Sequence, residues 1–411
     1  MISEKKVCRR CVLHSRVPRI SINEEGYCCY CDDDGKQAEP AGENLDIKEK
    51  MEELFADVKK QGRQYDALLL FSGGKDSTYL LKWARDEYNL RVLAFTMVYP
   101  IGKPLALKNI DDVSKKLNIE TIKFRPDEEM YKKMMKYALL EGHRYNLGEE
   151  AGCEACSFLF RWVSMKIAMQ MNIPIVLDGR DKNQSPIGPI FLTGEQFKNE
   201  MKDGKYPFGL MHNLFNDALG EEYKNTIYGT NYDDLKNKEF PTFIAPFTFV
   251  DYDYVNNFSE IEKLGLDSGN FKTLLTNCDA AYLFDCISYK KFDCPSYIKM
   301  YSAGLRNELP TVEQLSSSPE QPQIVKKEAM EQMLEEYKKV LFYVAEKNYT
   351  PENITEEEFQ TLRNMAVISC DIYGRETADA LIQRILSINS YAKYFSIDLV
   401  SIDNVEFKNE F

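Results

Sequence analysis

The chain has 411 residues, 44% apolar and 28% charged, enough to bury cores in two or three domains and too apolar for global disorder. Fifty-two Lys and Arg against 65 Asp and Glu leave a net charge of −13. That balance argues against nucleic acid as the main substrate, because affinity for DNA or RNA rests largely on neutralised phosphates. The start, MISEKKVCRRC, lacks the apolar stretch of a secretory signal, and no run of about 18 apolar residues occurs, so a soluble cytoplasmic protein with no membrane partner is expected.

Residues 1–44 make a first module, rich in Cys, Gly and turn residues, that cannot close a core without a metal. Apolar positions at helical spacing in residues 45–62 (LDIKEKMEELFADVKKQG) predict a linking helix. Residues 65–71 (YDALLLF) read as a buried parallel strand, followed by a Gly-rich turn and a helix over 76–87. Strands over 91–98 and 120–124 alternate with helices over 106–117 and 128–141, and a helix over 157–171 leads into a strand at 173–178. This alternation predicts an α/β fold over 45–300, a doubly wound parallel sheet with its ligand at the carboxyl ends of the strands. From 185 to 245 the pattern weakens, which suits an active-site lid, a substrate-binding insertion or ordinary surface loops. Prolines at 310, 319 and 322 mark a linker, and helices over 323–348, 356–373 and 376–389 predict a helical C-terminal domain over 320–411.

Eleven cysteines are many for a reducing compartment, where paired cysteines read as metal or redox sites. Cys8-x-x-Cys11 and Cys28-x-x-Cys31 are two knuckles sixteen residues apart, the pattern of a structural zinc ribbon with four thiolates. Cys29, between two ligands, is read as a bystander.

The most informative stretch is residues 71–77 (FSGGKDS), directly after an apolar strand and at the start of a helix. Gly73 and Gly74 let the backbone approach an anion, and the helix N-terminus presents N–H groups to it. Ser72 and Ser77 add hydroxyls, Lys75 a positive charge, and Asp76 a carboxylate that can orient a Mg2+ shell. The GxxxxGK[ST] spacing of a Walker A loop is absent. These residues resemble the SGGxDS signature of the PP-loop ATP pyrophosphatases, and the resemblance covers roughly residues 63–280. It implies a five-stranded parallel sheet that binds ATP and cleaves it to AMP and pyrophosphate. It also implies adenylation of a carbonyl oxygen, which a nitrogen or sulfur nucleophile then displaces. By the same analogy Ser72, Gly73, Gly74, Lys75, Asp76 and Ser77 hold the phosphates, and Phe95, Thr96 and Met97 border the adenosine.

Two finer resemblances compete. The front of the chain, CRRCVLHSRVPRISINEEGYCCYC and the helix after it, resembles the N-acetyl sugar amidotransferases, which take ammonia from a partner glutaminase. This chain has no glutaminase signature of its own. The middle resembles the iron–sulfur tRNA thiolation enzymes, which carry a CxxC at the start of the helix before the fourth strand and a third cysteine further on. Here these are Cys153, Cys156 and Cys278, expected to converge at the mouth of the ATP site. Three thiolates on a [4Fe–4S] cluster leave one iron open for a sulfide. A persulfide relay is the alternative, since thiols at a helix N-terminus are better thiolates. Cys286 or Cys294 could replace Cys278 as third ligand, although LFDCISYKKFDCPSY reads as core. The GHxxDD stretch of the thiolation enzymes is DGRDKN here, with Arg180 in place of the histidine. Asp181 keeps a carboxylate there and joins Lys75 and Asp76 as a catalytic candidate.

Three placed cysteines put sulfur transfer ahead of amidotransfer. The expected function is ATP-dependent adenylation of a small-molecule or carrier-bound substrate, followed by replacement of the oxygen with sulfur from a sulfur donor. Amidine formation with ammonia from a glutaminase subunit is the alternative, and a nucleotide-binding subunit without catalysis is a third reading. The expected cofactors are ATP, Mg2+, Zn2+ and the [4Fe–4S] cluster, and a homodimer is compatible with this reading.

Overall fold

The computed structural model describes residues 4–32, 41–181, 189–203, 208–229, 237–252, 254–264, 278–306, 326–373 and 378–405. The linker expected at 310–322 lies outside them, as do Lys182 and Asn183. The chain divides into two compact units, a sheet unit of residues 38–134 and 155–278 and a ribbon unit of residues 1–37, 135–154 and 279–411.

In the sheet unit, helix α1 (Ala41–Lys60) precedes β1 (Ala67–Leu70), and α2 (Lys75–Asp86), β2 (Val92–Met97), α3 (Pro104–Leu117), β3 (Thr121–Phe124) and α4 (Glu128–Glu141) follow in alternation. Helix α5 (Ala151–Gln170) then leads into β4 (Ile175–Leu177). Every residue of β1, β2 and β4 is buried, as a parallel sheet covered on both faces requires. The strand order is β3-β2-β1-β4-β6-β5, with β5 (Ile190–Leu192) antiparallel to β6 (Thr242–Ala245) and the other pairings parallel. Growth of the sheet therefore reverses between β1 and β4, the kind of crevice in which doubly wound folds bind ligands. Phe55, Leu80, Ala84, Ile110 and Val113 from three helices pack with Leu69, Phe71, Ile175 and Ile244 of the sheet. Each fully buried Leu, Ile or Phe contributes about 1.5–3 kcal/mol, which makes β1 the most firmly held strand and a stable base for the loop after it.

The described residues of the weak stretch at 185–245 include β5, α6 (Gly194–Asp203), α7 (Phe208–Leu219) and β6. The two strands are three and four residues long, too short for a readable period. Beyond them lies α8 (Tyr254–Lys263). Helix α5 starts six residues earlier than the pattern at 157–171 indicated. Gly152 lies in the first turn of this helix, where a Cβ would stand 2.8 Å from the Phe284 ring.

In the ribbon unit, residues 4–32 share one core with helical segments from the far end of the sequence. Val12, Leu13, Val17 and Ile20 pack with Phe292, Ile298, Met330 and Met333, which lie on α9 (Ala281–Phe292), α10 (Ile298–Arg306) and α11 (Lys327–Lys347). Asp293 ends α9 in the left-handed region (φ 59), and its carboxylate takes Lys5 at 2.7 Å and Lys338 at 2.5 Å. Helices α12 (Glu356–Tyr373), α13 (Ala378–Ile385) and α14 (Ser387–Tyr394) complete the unit, so the single helix expected at 376–389 is two helices. Among the described residues no helix is long and apolar enough to cross a membrane.

Candidate active site and metal centre

The turn after β1 is held by its own small residues. Gly73 has φ +76, and a Cβ there would lie 2.5 Å from the Ala106 carbonyl oxygen, so only glycine fits. The Ser72 N–H donates to Ser77 Oγ at 3.3 Å, and the two hydroxyls lie 3.2 Å apart. The Ser77 and Thr78 hydroxyls donate to the Gly74 carbonyl at 3.1 and 2.9 Å. Gly74 brings no side chain to cap α2, which leaves its first N–H groups for an incoming anion. Lys75 Nζ pairs with Asp76 Oδ1, and the Tyr252 hydroxyl donates to the same oxygen.

Phe95 and Thr96 are buried in β2, and Met97 ends that strand. The Thr96 hydroxyl donates to the Phe71 carbonyl at 2.8 Å, which straps the second strand to the start of the loop. The Phe95 ring packs tilted against Phe124 and Phe160, with centroids 6.4 and 5.6 Å away and interplanar angles of 44° and 39°.

Across the crevice, the end of β4 carries residues 178–181 to the start of α2. A Cβ on Gly179 would meet the Cα and N of Ser77 at 3.1 Å. Asp178 is buried and takes Arg161 Nε at 2.9 Å and Arg180 Nε at 3.1 Å. Burial alone would raise its carboxyl, but Arg180 and Arg161 together hold it below the usual carboxylate range. Arg180 therefore steadies the turn as a guanidinium, chemistry unlike that of the histidine it replaces. Asp181 is also buried at this rim.

Two of the three cysteines expected to act together, Cys156 and Cys278, belong to the sheet unit. The Tyr131 hydroxyl lies 3.1 Å from Cys156 Sγ, and the Tyr99 hydroxyl donates to the Cys156 carbonyl at 2.7 Å. Cys278 pairs as a β-bridge with Gly102, just past the end of β2. Burial first, and then the neighbouring Cys156 and Cys278 thiols, push both phenols well above their ordinary range. Cys153 lies one turn before Cys156 on α5, with its sulfur 3.2 Å from the Tyr297 hydroxyl. Cys286 and Cys294 are buried in the ribbon unit, and burial pushes the Cys286 thiol up to about 12. These two are core residues, as their sequence context indicated.

The four ribbon thiols form a separate centre. Cys8, Cys11, Cys28 and Cys31 are buried with their sulfurs all within 4.8 Å of one another. Cys11 lies 3.6 Å from Cys28 and 3.8 Å from Cys31. A tetrahedral zinc with bonds of about 2.3 Å has an S···S edge of about 3.8 Å, so the donor set and its size fit that ion. The backbone N–H groups of Arg10 and Cys28 both donate to Cys8 Sγ at 3.4 Å. Burial and then Cys11 push the Cys31 thiol up, whereas the bond from Cys28 draws the Cys11 thiol down, so one thiolate forms readily and its neighbours need a cation beside them to ionise as well. Cys29 is exposed and takes no part in the cluster.

Residues 66–165, from the start of β1 into α5, match the family model of the queuosine biosynthesis protein QueC. That segment is similar to the PP-loop ATP pyrophosphatases, the family to which the matched model belongs. Over 199 residues the chain is 27% identical to an uncharacterized protein of Methanocaldococcus jannaschii, a match covering 48% of this chain and 64% of that protein. The chain thus spans a little under two thirds of that curated relative. Among solved structures it is similar to the U34-tRNA thiolase NcsA of Methanococcus maripaludis with its [4Fe–4S] cluster, at 14% identity and a TM-score of 0.31 over 77% of this chain and 88% of that one. It is similar to an NH3-dependent NAD synthetase of Campylobacter jejuni at 15% identity and a TM-score of 0.32, over 69% of this chain and 99% of that one.

The sheet unit also contains residues that sequence patterns did not single out. Arg161 reaches Asp178 from α5, Tyr99 and Tyr131 frame Cys156, and Tyr252 reaches Asp76. The loop signature itself gives no sign of them, because each is distant from it in sequence.

Proposed function

We propose that this chain uses ATP to adenylate a carbonyl oxygen of a small-molecule or carrier-bound substrate and then replaces that oxygen with sulfur. The observation that supports the sulfur reading is that Cys156, 3.1 Å from the Tyr131 hydroxyl, and Cys278, bridged to Gly102, both belong to the unit that holds the PP-loop. Lys75 and the uncapped start of α2 would bind the phosphates, and Ser72 and Ser77 would keep the loop in shape. The carbonyl oxygen attacks the α-phosphorus, the bond from that phosphorus to the bridging oxygen breaks, and pyrophosphate leaves. Sulfide from a sulfur donor then attacks the carbon, and AMP departs with the oxygen.

Cys153, Cys156 and Cys278 would hold a [4Fe–4S] cluster, which supplies an open iron for that sulfide. Two of these thiols are partly exposed on one helix one turn apart, and the third lies in a β-bridge with Gly102. The Tyr131 hydroxyl is placed to hydrogen-bond the Cys156 sulfur, an interaction that tunes thiolate ligands. Zn2+ in the ribbon would be structural, because four protein thiolates close its coordination. The acidic charge favours a small or carrier-bound acceptor over tRNA.

Anaerobic purification with metal and sulfide analysis tests this reading. About four iron atoms per chain beside one zinc are expected, and Cys156→Ala together with Cys278→Ala should remove the iron and leave the zinc. Zinc without iron in the anaerobic protein, with amidine formed when a glutaminase supplies ammonia, would replace it with the amidotransferase reading. Sulfur incorporation into tRNA alone would overturn the choice of acceptor.

A further inference from the structure

We propose that Tyr252 is a positioning residue for the PP-loop: its hydroxyl fixes the Asp76 carboxylate, and through it the Lys75 ammonium, before nucleotide arrives. This rests on the PP-loop reading of the site and adds a residue to it. Tyr252 follows β6 at the carboxyl rim of the sheet, and aromatic packing holds its ring on two sides. It stacks on Phe247 with centroids 4.5 Å apart at 30°, and it meets Tyr79 of α2 edge-on at 6.0 Å. Tyr79 in turn lies 5.6 Å from Phe247, so the three rings form a closed set around the start of α2.

A ring held this way delivers its hydroxyl to one place, and the acceptor there is Asp76 Oδ1. Lys75 Nζ reaches the same oxygen. An aspartate in the first turn of a helix ordinarily samples several rotamers, and two donors on one oxygen select one of them. Among the described residues Oδ2 has no hydrogen-bond partner, so one carboxylate oxygen is tied to protein while the other is left for a Mg2+ ion. Lys75 is held by its neighbour, not free to collapse elsewhere on the rim. Charges set in advance at a phosphoryl site stabilise the transition state without reorganisation during the reaction. Tyr252 supplies that presetting from a strand end far along the chain.

The test compares wild type, Tyr252→Phe, Asp76→Ala and the double variant. The binding probe is α,β-methylene-ATP, which cannot be cleaved between its α and β phosphorus atoms, measured by calorimetry with and without Mg2+. Tyr252→Phe keeps the ring and should bind the probe as wild type does without Mg2+. Its Mg2+-dependent gain in affinity should fall on the order of tenfold, and kcat for pyrophosphate release should fall by a similar factor. Adding Tyr252→Phe to Asp76→Ala should change nothing further. A wild-type Mg2+ response in Tyr252→Phe, or an equal loss when it is added to Asp76→Ala, overturns the proposal. Should Tyr252→Phe not fold by its melting curve, Tyr252→His takes its place. It retains a ring donor and should keep the Mg2+ response, and loss of that response counts against the proposal. If the wild-type protein released no pyrophosphate, the adenylation reading would fall, while the calorimetric comparison would still decide the role of Tyr252.

Discussion

The backbone of Gly179 lies directly against that of Ser77, so that a Cβ on Gly179 would stand 3.1 Å from both the Ser77 Cα and N. The strand end after β4 is in this way used as a template for the start of α2. Backbone on backbone leaves nothing flexible to yield. Gly179→Ala should therefore displace the loop by a few tenths of an ångström and lower pyrophosphate release about tenfold or more, since small misplacements at a reacting site are expensive. Its stability loss should stay within about 1–3 kcal/mol, as for other overpacked sites. A Gly179→Ala protein with wild-type kcat/KM would show that the loop has slack.

Asp76→Ala or Ser77→Ala should reduce AMP and pyrophosphate formation on the order of a hundredfold, the usual size of a lost preorganised group. The products are the sharper readout. ADP and phosphate, detected in place of AMP and pyrophosphate, would contradict the PP-loop chemistry whatever the variants did.

Replacing Cys8 and Cys11 with Ser should remove about one equivalent of zinc and loosen residues 4–32. Because Leu13 and Ile20 share a core with Phe292 and Met330, the same variant should also increase hydrogen exchange in α9 and α11. Full zinc occupancy in the double variant would place the ion elsewhere.

His14 offers a pH test of the same unit. Its Nε2 lies 3.1 Å from the Asp293 carbonyl oxygen and its Nδ1 accepts the Arg16 N–H at 3.3 Å, a pattern only the neutral Nε2–H form satisfies. Burial, and then Lys5, hold its pKa down to about 3. In the unfolded chain the value is about 6.5, so the unfolded state binds more protons between about pH 3 and 6.5. The stability contribution is thus complete above about pH 6.5 and declines as the pH falls through that window, by about 2 kcal/mol between pH 7 and pH 5. An NMR titration of the His14 ring with a midpoint above 6 would refute the buried neutral form.

The PP-loop and the ribbon were readable from the sequence because each is a local device. Gly73, Gly74 and Ser77 act through backbone within one turn, and the two CxxC knuckles need only their own spacing to bring sulfurs together. The parallel strands β1, β2 and β4 were readable because burial on both faces favours near-continuous apolar runs. What escaped depends on contacts between distant segments. Tyr252 acts on Asp76 across 176 positions, and no period or motif links them. The requirement for glycine at 152 is likewise invisible until Phe284 is placed beside it.

The ribbon's core imposes an order on synthesis. Residues 4–32 emerge from the ribosome well before the apolar partners of Val12, Leu13 and Ile20, which include Met330 and Met333, some 300 residues later. At about 5–20 residues per second, that interval lasts on the order of 15–60 seconds. The sheet unit's last described residue, Cys278, is made before those methionines, so its strands can pair while the ribbon still waits. During the wait a metal on the four thiols would be the stabilising agent at hand for this segment, and metal supply would then be a condition for newly made chains to avoid aggregation as much as for finished ones.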